Sequence, residues 1–324
     1  MSSTPKLSVL MTVYNGGSYL APAIESVFSQ TFKDWELVIV NDGSTDSTGQ
    51  YLDSLTDARL VIINRENGGT AAAANQGLGH CRGEYTARMD ADDISLAFRF
   101  AKQIRHLDEN PEIGLVGTQI APIGARAIGS SLCLPIYHEE IDRDILQGKH
   151  GIAHSSIMFR TQLLKNIGGY WNYRLVDDWD MMLRMGEVTK LANLPELLHH
   201  YRIHRGSLNG KQMKQMRFSI DYACELARRR RGQLSLITLE DFEIQKAQLG
   251  LWHSIADSLD LFARCHYRLA LAEILGGAQF QGYCRMTLAA ACRPHLTFQR
   301  IARIVRPKHI ANSYRHAIKR NVLS

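Results

Sequence analysis

No C-x-x-C pair occurs in the 324-residue chain; its six cysteines, Cys81, Cys133, Cys224, Cys265, Cys284 and Cys292, are scattered. That spacing offers neither a zinc site nor a disulfide framework, so a reducing compartment is expected. Long apolar runs are lacking too. The stretch from Ile113 to His138 is broken by Pro122, Arg126, Pro135 and several glycines, and does not read as a membrane span. The opening MSSTPKLSVLMTVYNGG has too short an apolar run before Asn15 and Gly16 for a secretory leader, so none is expected. The first apolar run is followed by VYNGGSYL and not by G-x-G-x-x-G, and a P-loop is missing, which removes the two commonest nucleotide fingerprints. Finally, residues 274–324 contain no Asp or Glu.

That last absence creates a charge asymmetry. The net charge is +6, from 38 Lys/Arg against 32 Asp/Glu. Nine of the basic residues lie in 274–324, leaving 29 basic against 32 acidic before them. An acidic body with a basic tail points the tail at something anionic, a phospholipid surface or a nucleic acid. A solvated basic helix face is the plain alternative.

What is present in the first third is a regular alternation. LSVLMTVYN, WELVIVN, RLVIIN and EYTARMD read as buried strands, and IGLVGTQ as a fifth. Helical spacing separates them: Leu20, Ile24, Val27 and Phe28; Tyr51 and Leu55; AAAANQGL; and Leu96 to Leu107. Strands joined in this way imply right-handed crossovers and a mostly parallel α/β sheet, which binds ligands at the carboxyl ends of its strands. Tyr14-Asn15, Asn41-Asp42, Asn64-Arg65 and Asp90-Asp92 all fall there.

From Gly124 to Gly169 the signal weakens, with HSSIMFR (His154 to Arg160) the one strand expected. DDWDMMLRMGE starts a helix, KLANLPELLHHYRIH returns as a strand, and RGSLNGK is a polar break. Beyond Asn209 the pattern turns helical. A boundary is placed there, with an α/β unit over 1–209 and a mainly helical basic region over 210–324. Arg228 to Arg231 read as the solvated end of a helix before Gly232.

RMDADD, Arg88 to Asp93, puts three carboxylates within four residues. Groups this close repel unless a cation sits between them. Hard oxygens at a strand end suit Mg²⁺ or Mn²⁺, and sparse sites for these ions rely on substrate phosphates to complete the coordination, which points to a nucleotide diphosphate. An EF-hand would need Glu at the twelfth position, where Ala101 stands. A solvated acidic turn is the structural alternative. Asp42, on the loop after the second strand, is placed to accept a base N–H.

The blocks LSVLMTVYNGGSYLAPAIESVFSQTFKDWELVIVNDGSTDST and GEYTARMDADDIS, followed in order by HSSIMFR, DDWDMMLRM and YRIHRGSLN, resemble the family 2 glycosyltransferases. These are inverting enzymes with the GT-A fold, a Rossmann-like sheet flanked by helices. The resemblance runs over residues 6–207. It implies a nucleotide-diphospho-sugar donor, commonly a UDP-sugar, with Mn²⁺ or Mg²⁺ as cofactor. Thr12 and Tyr14 would line the base pocket and Asp42 would read the base. Asp90 and Asp92 form the D-x-D metal pair, with Asp92 the more direct ligand. In DDWD the family usually has Glu-Asp: Asp177 takes the Glu position on the donor side and Asp178 is the general base. His204, in an H-x-x-S pattern with Ser207, would contact metal or diphosphate. His154 would line the acceptor side and Trp179 would stack on a sugar, with a core role the alternative for each.

Inverting transfer fits this set, because one carboxylate must take the acceptor proton while a cation offsets charge growing on the leaving phosphate. If Asp178 starts a helix, the positive helix end would keep it ionised but weaken it as a base. The sequence departs from the family pattern at Ala74, where Arg is usual; Arg65 or Arg88 would then hold phosphate. The Q-x-x-R-W block of processive synthases is missing, which implies one sugar per encounter.

The acceptor implied is a saccharide or lipid-linked sugar in cell-surface polysaccharide assembly. The expected location is the cytoplasm, with peripheral contact to the inner membrane face. FQRIARIVRPKHIANSYRHAIKR would supply that contact, since Phe298, Ile301, Ile304 and Val305 share one helical face. Nucleic acid is not expected as a partner, for no reading motif occurs. Two other classes compete. A nucleotidyltransferase would need basic residues in its Gly-rich loop, and YNGGSYL lacks them. A non-catalytic nucleotide-sugar-binding partner protein would have no use for an intact Asp90, Asp92 and Asp178.

Overall fold

The structure, a computed structural model, describes residues 4–124, 126, 128–129, 131–171, 176–203 and 210–294. Strand β1 (Leu7–Val13), helix α1 (Leu20–Phe28), β2 (Trp35–Asp42), α2 (Thr48–Asp53), β3 (Leu60–Arg65), α3 (Thr70–His80) and β4 (Tyr85–Asp90) alternate as the apolar pattern predicts. There follow β5 (Ile94–Ser95), α4 (Arg99–Glu109), β6 (Ile113–Ile123), α5 (His138–Leu146), β7 (Met158–Arg160), α6 (Thr161–Asn166), α7 (Asp177–Val188) and β8 (Lys190–Arg202). Helices α8 (Gly210–Arg231), α9 (Leu239–Ala247), α10 (Gly250–Leu275) and α11 (Gln279–Cys292) complete the described chain.

The strands form one sheet in the order β3-β2-β1-β4-β7-β6-β8-β5. β1 pairs in parallel with β2 and β4, β2 with β3, and β6 with β8. β7 runs antiparallel to β4 and β6, and β5 to β8. The sheet is therefore mixed, with a parallel amino-terminal half.

Why LSVLMTV is a strand follows from what covers it. Leu7, Val9, Met11 and Val13 pack with Leu20, Ile24 and Val27 of α1 and Phe100 and Ile104 of α4. Leu10 and Val38 face the other way, toward Ala71, Ala74 and Leu78 of α3. A strand buried on both faces reads as a continuous apolar run, and each large apolar side chain so buried contributes about 1.5–3 kcal/mol. Gly77 lets α3 sit close to the sheet: a Cβ there would stand 2.3 Å from Leu10 Cδ1.

This topology builds a crevice. Successive strands step outward from β1 to β3, and the chain then returns to lay β4 on the other side of β1. Such a reversal opens a ligand cleft at the carboxyl strand ends. Register sets Thr12 beside Asp90, Val13 beside Asn41, and Asp42 beside Arg65.

After the sheet, α8 returns to the α/β body. Its Ile220, Ala223, Cys224 and Ala227 share a core with α5 and α7. The arginine run at its end is solvated only in part: Arg228 stands 51% exposed, while others are paired. Arg230 grips Glu187 of α7 at 2.9 Å, and Arg231 grips Asp142 of α5 through two bonds of 2.6 and 2.7 Å. α10 and α11 pack on each other, joined by Arg285 and Glu273 at 2.9 Å. Among the described residues no helix is long and apolar enough to cross a membrane.

Candidate active site

The crevice floor is held by short polar contacts between strand ends. Asn15 takes the left-handed conformation at φ +52°, which an asparagine tolerates. Its N–H donates to Ser44 Oγ at 2.9 Å, and its side-chain oxygen accepts from Thr45 N–H at 2.8 Å. Gly16 N–H donates to Thr48 Oγ1 at 2.9 Å. Asn41 bridges outward, donating to Asn64 Oδ1 at 2.9 Å. Thus YNGG and DGSTD, read separately in the sequence, form one rim, from which Tyr14 projects, 54% exposed.

Asp42 is buried and its two oxygens accept the N–H groups of Gly68 and Gly69 at 3.0 and 2.9 Å. Arg65 Nε lies 3.1 Å from the same carboxylate. Charge-assisted bonds of this kind are the stronger ones, so Asp42 and Arg65 together fix the 65–69 loop at the mouth of the crevice.

Arg88 lies beneath the floor, 1% exposed. Its guanidinium donates to Leu10 O at 3.0 Å, Met89 O at 3.1 Å and Thr12 Oγ1 at 2.7 Å, and stands 3.4 Å from Asp90 Oδ1. Arg88, expected to hold phosphate, directs its two Nη groups to the β1 and β4 ends and so orients Thr12 and Asp90 from below, while its buried Nε meets no hydrogen-bond partner. Ala74 is buried in the core beside α3's Asn75. Asn75 bonds the backbone of Tyr170 in both directions, at 2.6 and 2.8 Å.

DDWD opens α7 as the sequence predicts, with Asp177, Asp178 and Asp180 in the first turn. Asp180 is fully buried and pairs with Arg184 at 2.7 Å. Arg184 in turn donates to Ile167 O and Gly169 O, which ties the preceding loop to the helix. Trp179 is 3% exposed and donates to Ile145 O at 3.1 Å, so it is a core residue and not a sugar platform.

Asp178 accepts its neighbour Trp179 N–H at 2.8 Å. Burial pushes its carboxyl up to about 7; the charges of Asp177 and Asp90 add to that, while the Trp179 N–H opposes it. Desolvation and like charge thus outweigh the helix end. Asp177 is raised by burial and by Asp90, with Arg88 opposing. Strands β1 and β4 and helix α7 therefore bring three mutually repelling carboxylates to one crevice.

Among the described residues no three His, Cys, Asp or Glu side chains form a closed metal cage. The donor chemistry nevertheless fits a divalent ion. Asp90 and Asp92 offer hard oxygens, and the Asp90 side chain is 42% accessible. A sparse site of this kind is completed by substrate phosphate. His204 and Ser207 lie outside the described residues.

His154 is half-buried, with Nε2 3.1 Å from the Tyr170 hydroxyl. Burial, with Arg88 nearby, holds it well below the ordinary imidazole value and so neutral. Three residues of this neighbourhood escape sequence reasoning: Arg99, His199 and Arg202. Arg202 Nε donates to Asp92 O at 2.7 Å and its guanidinium stacks on Tyr19 at 4.6 Å. For His199 and Arg202 the signal available was their position in HHYRIH, which ends in His204; Arg99, on α4, gave none.

Comparison with known proteins agrees with this geometry. The model of the family described as "Glycosyl transferase family 2" matches residues 8–168. The chain is 33% identical over 231 residues to the putative glycosyltransferase EpsE of Bacillus subtilis (strain 168), covering 69% of this chain and 81% of that protein. It is 32% identical over 207 residues to the O-antigen biosynthesis glycosyltransferase WbnJ of Escherichia coli, covering 62% and 81%. Among solved structures it is similar in fold to S. aureus TarS 1-349 in complex with UDP-GlcNAc, with a TM-score of 0.55, 15% identity, and 89% of each chain covered.

Proposed function

Since the chain belongs to the family 2 glycosyltransferases, we propose that it transfers one sugar, with inversion, from a UDP-sugar to a saccharide or lipid-linked acceptor in cell-surface polysaccharide synthesis. The observation that carries the reading is that Asp90, at the carboxyl end of β4, lies within electrostatic reach of Asp177 and Asp178 at the start of α7. The WbnJ name supports the polysaccharide setting, and the UDP-GlcNAc in the TarS structure supports the donor class.

In this mechanism Thr12, Tyr14 and the Asp42 loop bind the base, and Asp177 orients the donor sugar. The acceptor hydroxyl attacks the anomeric carbon on the face opposite the diphosphate. The new C–O bond forms as the bond to the diphosphate oxygen breaks, and Asp178 takes the hydroxyl proton. A carboxylate held near 7 is matched to that task at neutral pH. Asp90 and Asp92, joined by His204, would hold Mn²⁺ or Mg²⁺, which supplies positive charge to offset that developing on the leaving diphosphate. Arg65, paired with Asp42 at the mouth, would contact the diphosphate.

Residues 1–209 form the donor-binding unit in this reading, and 210–324 face the acceptor or an anionic membrane surface. The exposed Phe280 and Tyr283 of α11 and the basic composition beyond it support that role, at the cytoplasmic side of the membrane. The test is purified protein with Mn²⁺ and a panel of nucleotide sugars. Donor binding and slow hydrolysis are expected; neither binding nor hydrolysis with any donor contradicts the proposal.

A further inference from the structure

A buried chain of polar groups runs under the D-x-D loop and is not used by the mechanism above. Asp93, the residue after the D-x-D, is 3% exposed. Its Oδ1 accepts Arg202 N–H at 2.7 Å, its Oδ2 lies 2.8 Å from His199 Nε2, and the Ser155 hydroxyl also bonds it. His199 is fully buried, and its Nδ1 lies 3.2 Å from Arg99 Nη1. A guanidinium only donates, so Nδ1 is the acceptor and the ring proton sits on Nε2, aimed at Asp93. Arg99 is also fully buried, and its Nη2 donates to Arg88 O at 2.8 Å and Ile157 O at 3.1 Å. Gln103 receives its Nε at 3.0 Å.

One guanidinium therefore holds both sides of the metal pair. It binds the main chain of β4 two residues before Asp90, and through His199 it binds the carboxylate one residue after Asp92. β8 closes the frame, pairing Ile94 with His200 and Ser95 with His199, while Arg202 holds Asp92 O. β8 is also the strand that leads to His204.

We propose that Asp93, His199 and Arg99 are positioning residues that set the Asp90-Asp92 carboxylates for the divalent ion and the diphosphate. The inference rests on the metal-dependent reading of the site. Outer partners of this kind govern ligand orientation, and losing one costs roughly 10–100-fold in metal affinity or activity. Asp93→Asn is the sharpest probe. An amide keeps the shape but, in either flip, turns an N–H toward Arg202 N–H or the His199 ring N–H. His199→Gln keeps a donor toward Asp93 and should preserve the loop's position.

The experiment is calorimetric binding of UDP and UDP-GlcNAc with and without Mn²⁺, together with imidazole ¹⁵N spectra at neutral pH. Wild type should show Mn²⁺-strengthened binding and a neutral Nε2–H ring assigned to His199. Asp93→Asn should lose roughly 10-fold or more of the Mn²⁺-dependent affinity, with Mn²⁺-free UDP affinity and circular dichroism unchanged. His199→Gln should stay within a few-fold of wild type. Unchanged Mn²⁺ dependence in Asp93→Asn, or an Nδ1–H ring in wild type, overturns the inference while leaving the reading of the site intact. A wild-type protein without any Mn²⁺-linked affinity overturns both.

Discussion

The strand-end crevice and the α10–α11 pair treat their surfaces in opposite ways. In the crevice, Asp42, Arg88 and Asp93 are each held by several partners, and the residues that line it are set by main-chain register. On the helical pair, Ile255, Leu259, Phe262, Phe280, Tyr283 and Leu288 stand exposed, Phe280 to 82%. The crevice satisfies most of its polar groups within the chain and gathers several carboxylates, Asp90, Asp177 and Asp178, within electrostatic reach of one another. The helical pair leaves apolar side chains exposed to solvent. Single substitutions should therefore change chemistry in the first region and only association in the second.

The largest effect belongs to Asp178→Asn. Transfer should fall by roughly 10²- to 10⁴-fold, measured by product formation under saturating donor, while donor affinity stays within about two-fold, since only the proton acceptor is lost. Comparable turnover in that variant would remove Asp178 as the base. Asp180→Ala comes next. It strands the fully buried Arg184 that ties α7 to the 167–169 loop, at a cost of about 3–5 kcal/mol. Thermal unfolding should drop by roughly 10 °C; a shift of a degree or two would mean the pair is dispensable.

Asp178→Asn should also stabilise the fold. The folded carboxyl holds its proton more tightly than an unfolded one, pushed up to about 7 from an ordinary 3.8. Stability is therefore lost as pH rises through that window and regained below it. The amide should gain about 1–3 kcal/mol at pH 8 and almost nothing at pH 4, read from melting curves at both pH values. A gain that is larger at pH 4 would reverse the assigned sign. The smallest effect is on the helical pair. Phe280→Ser with Tyr283→Ser should change stability by no more than about 0.5 kcal/mol and leave hydrolysis of soluble donor unaltered. The same variant should lower co-sedimentation with anionic vesicles; equal co-sedimentation would detach this face from the membrane reading.

Much of the crevice was legible because parallel strands buried on both faces announce themselves as short apolar runs ending in polar loops. LSVLMTV, WELVIVN and EYTARMD are each recognisable alone, and Asp42 and Asp90 follow from where those runs end, whereas Asp178 was singled out by the family resemblance of DDWD. What was not legible depends on distant partners. β5 is two residues long and exists by pairing with β8, and β7 is three residues long between β4 and β6. HSSIMFR is strand only in its last three residues, His154–Ser156 forming a 3-10 turn. Asp93 and His199 are 106 residues apart in the chain, and no local period reports such a bond. The α8 arginines looked solvated because Asp142 and Glu187, their partners, belong to other helices.

The claim on which the account turns is that Asp90 helps hold a divalent ion against a sugar nucleotide's diphosphate. Calorimetric titration of a UDP-sugar into wild type and Asp90→Asn, each with and without Mn²⁺, addresses it directly. The account predicts that Mn²⁺ tightens wild-type binding by roughly 10-fold or more and that Asp90→Asn loses this gain. Equal affinities in all four titrations would contradict it.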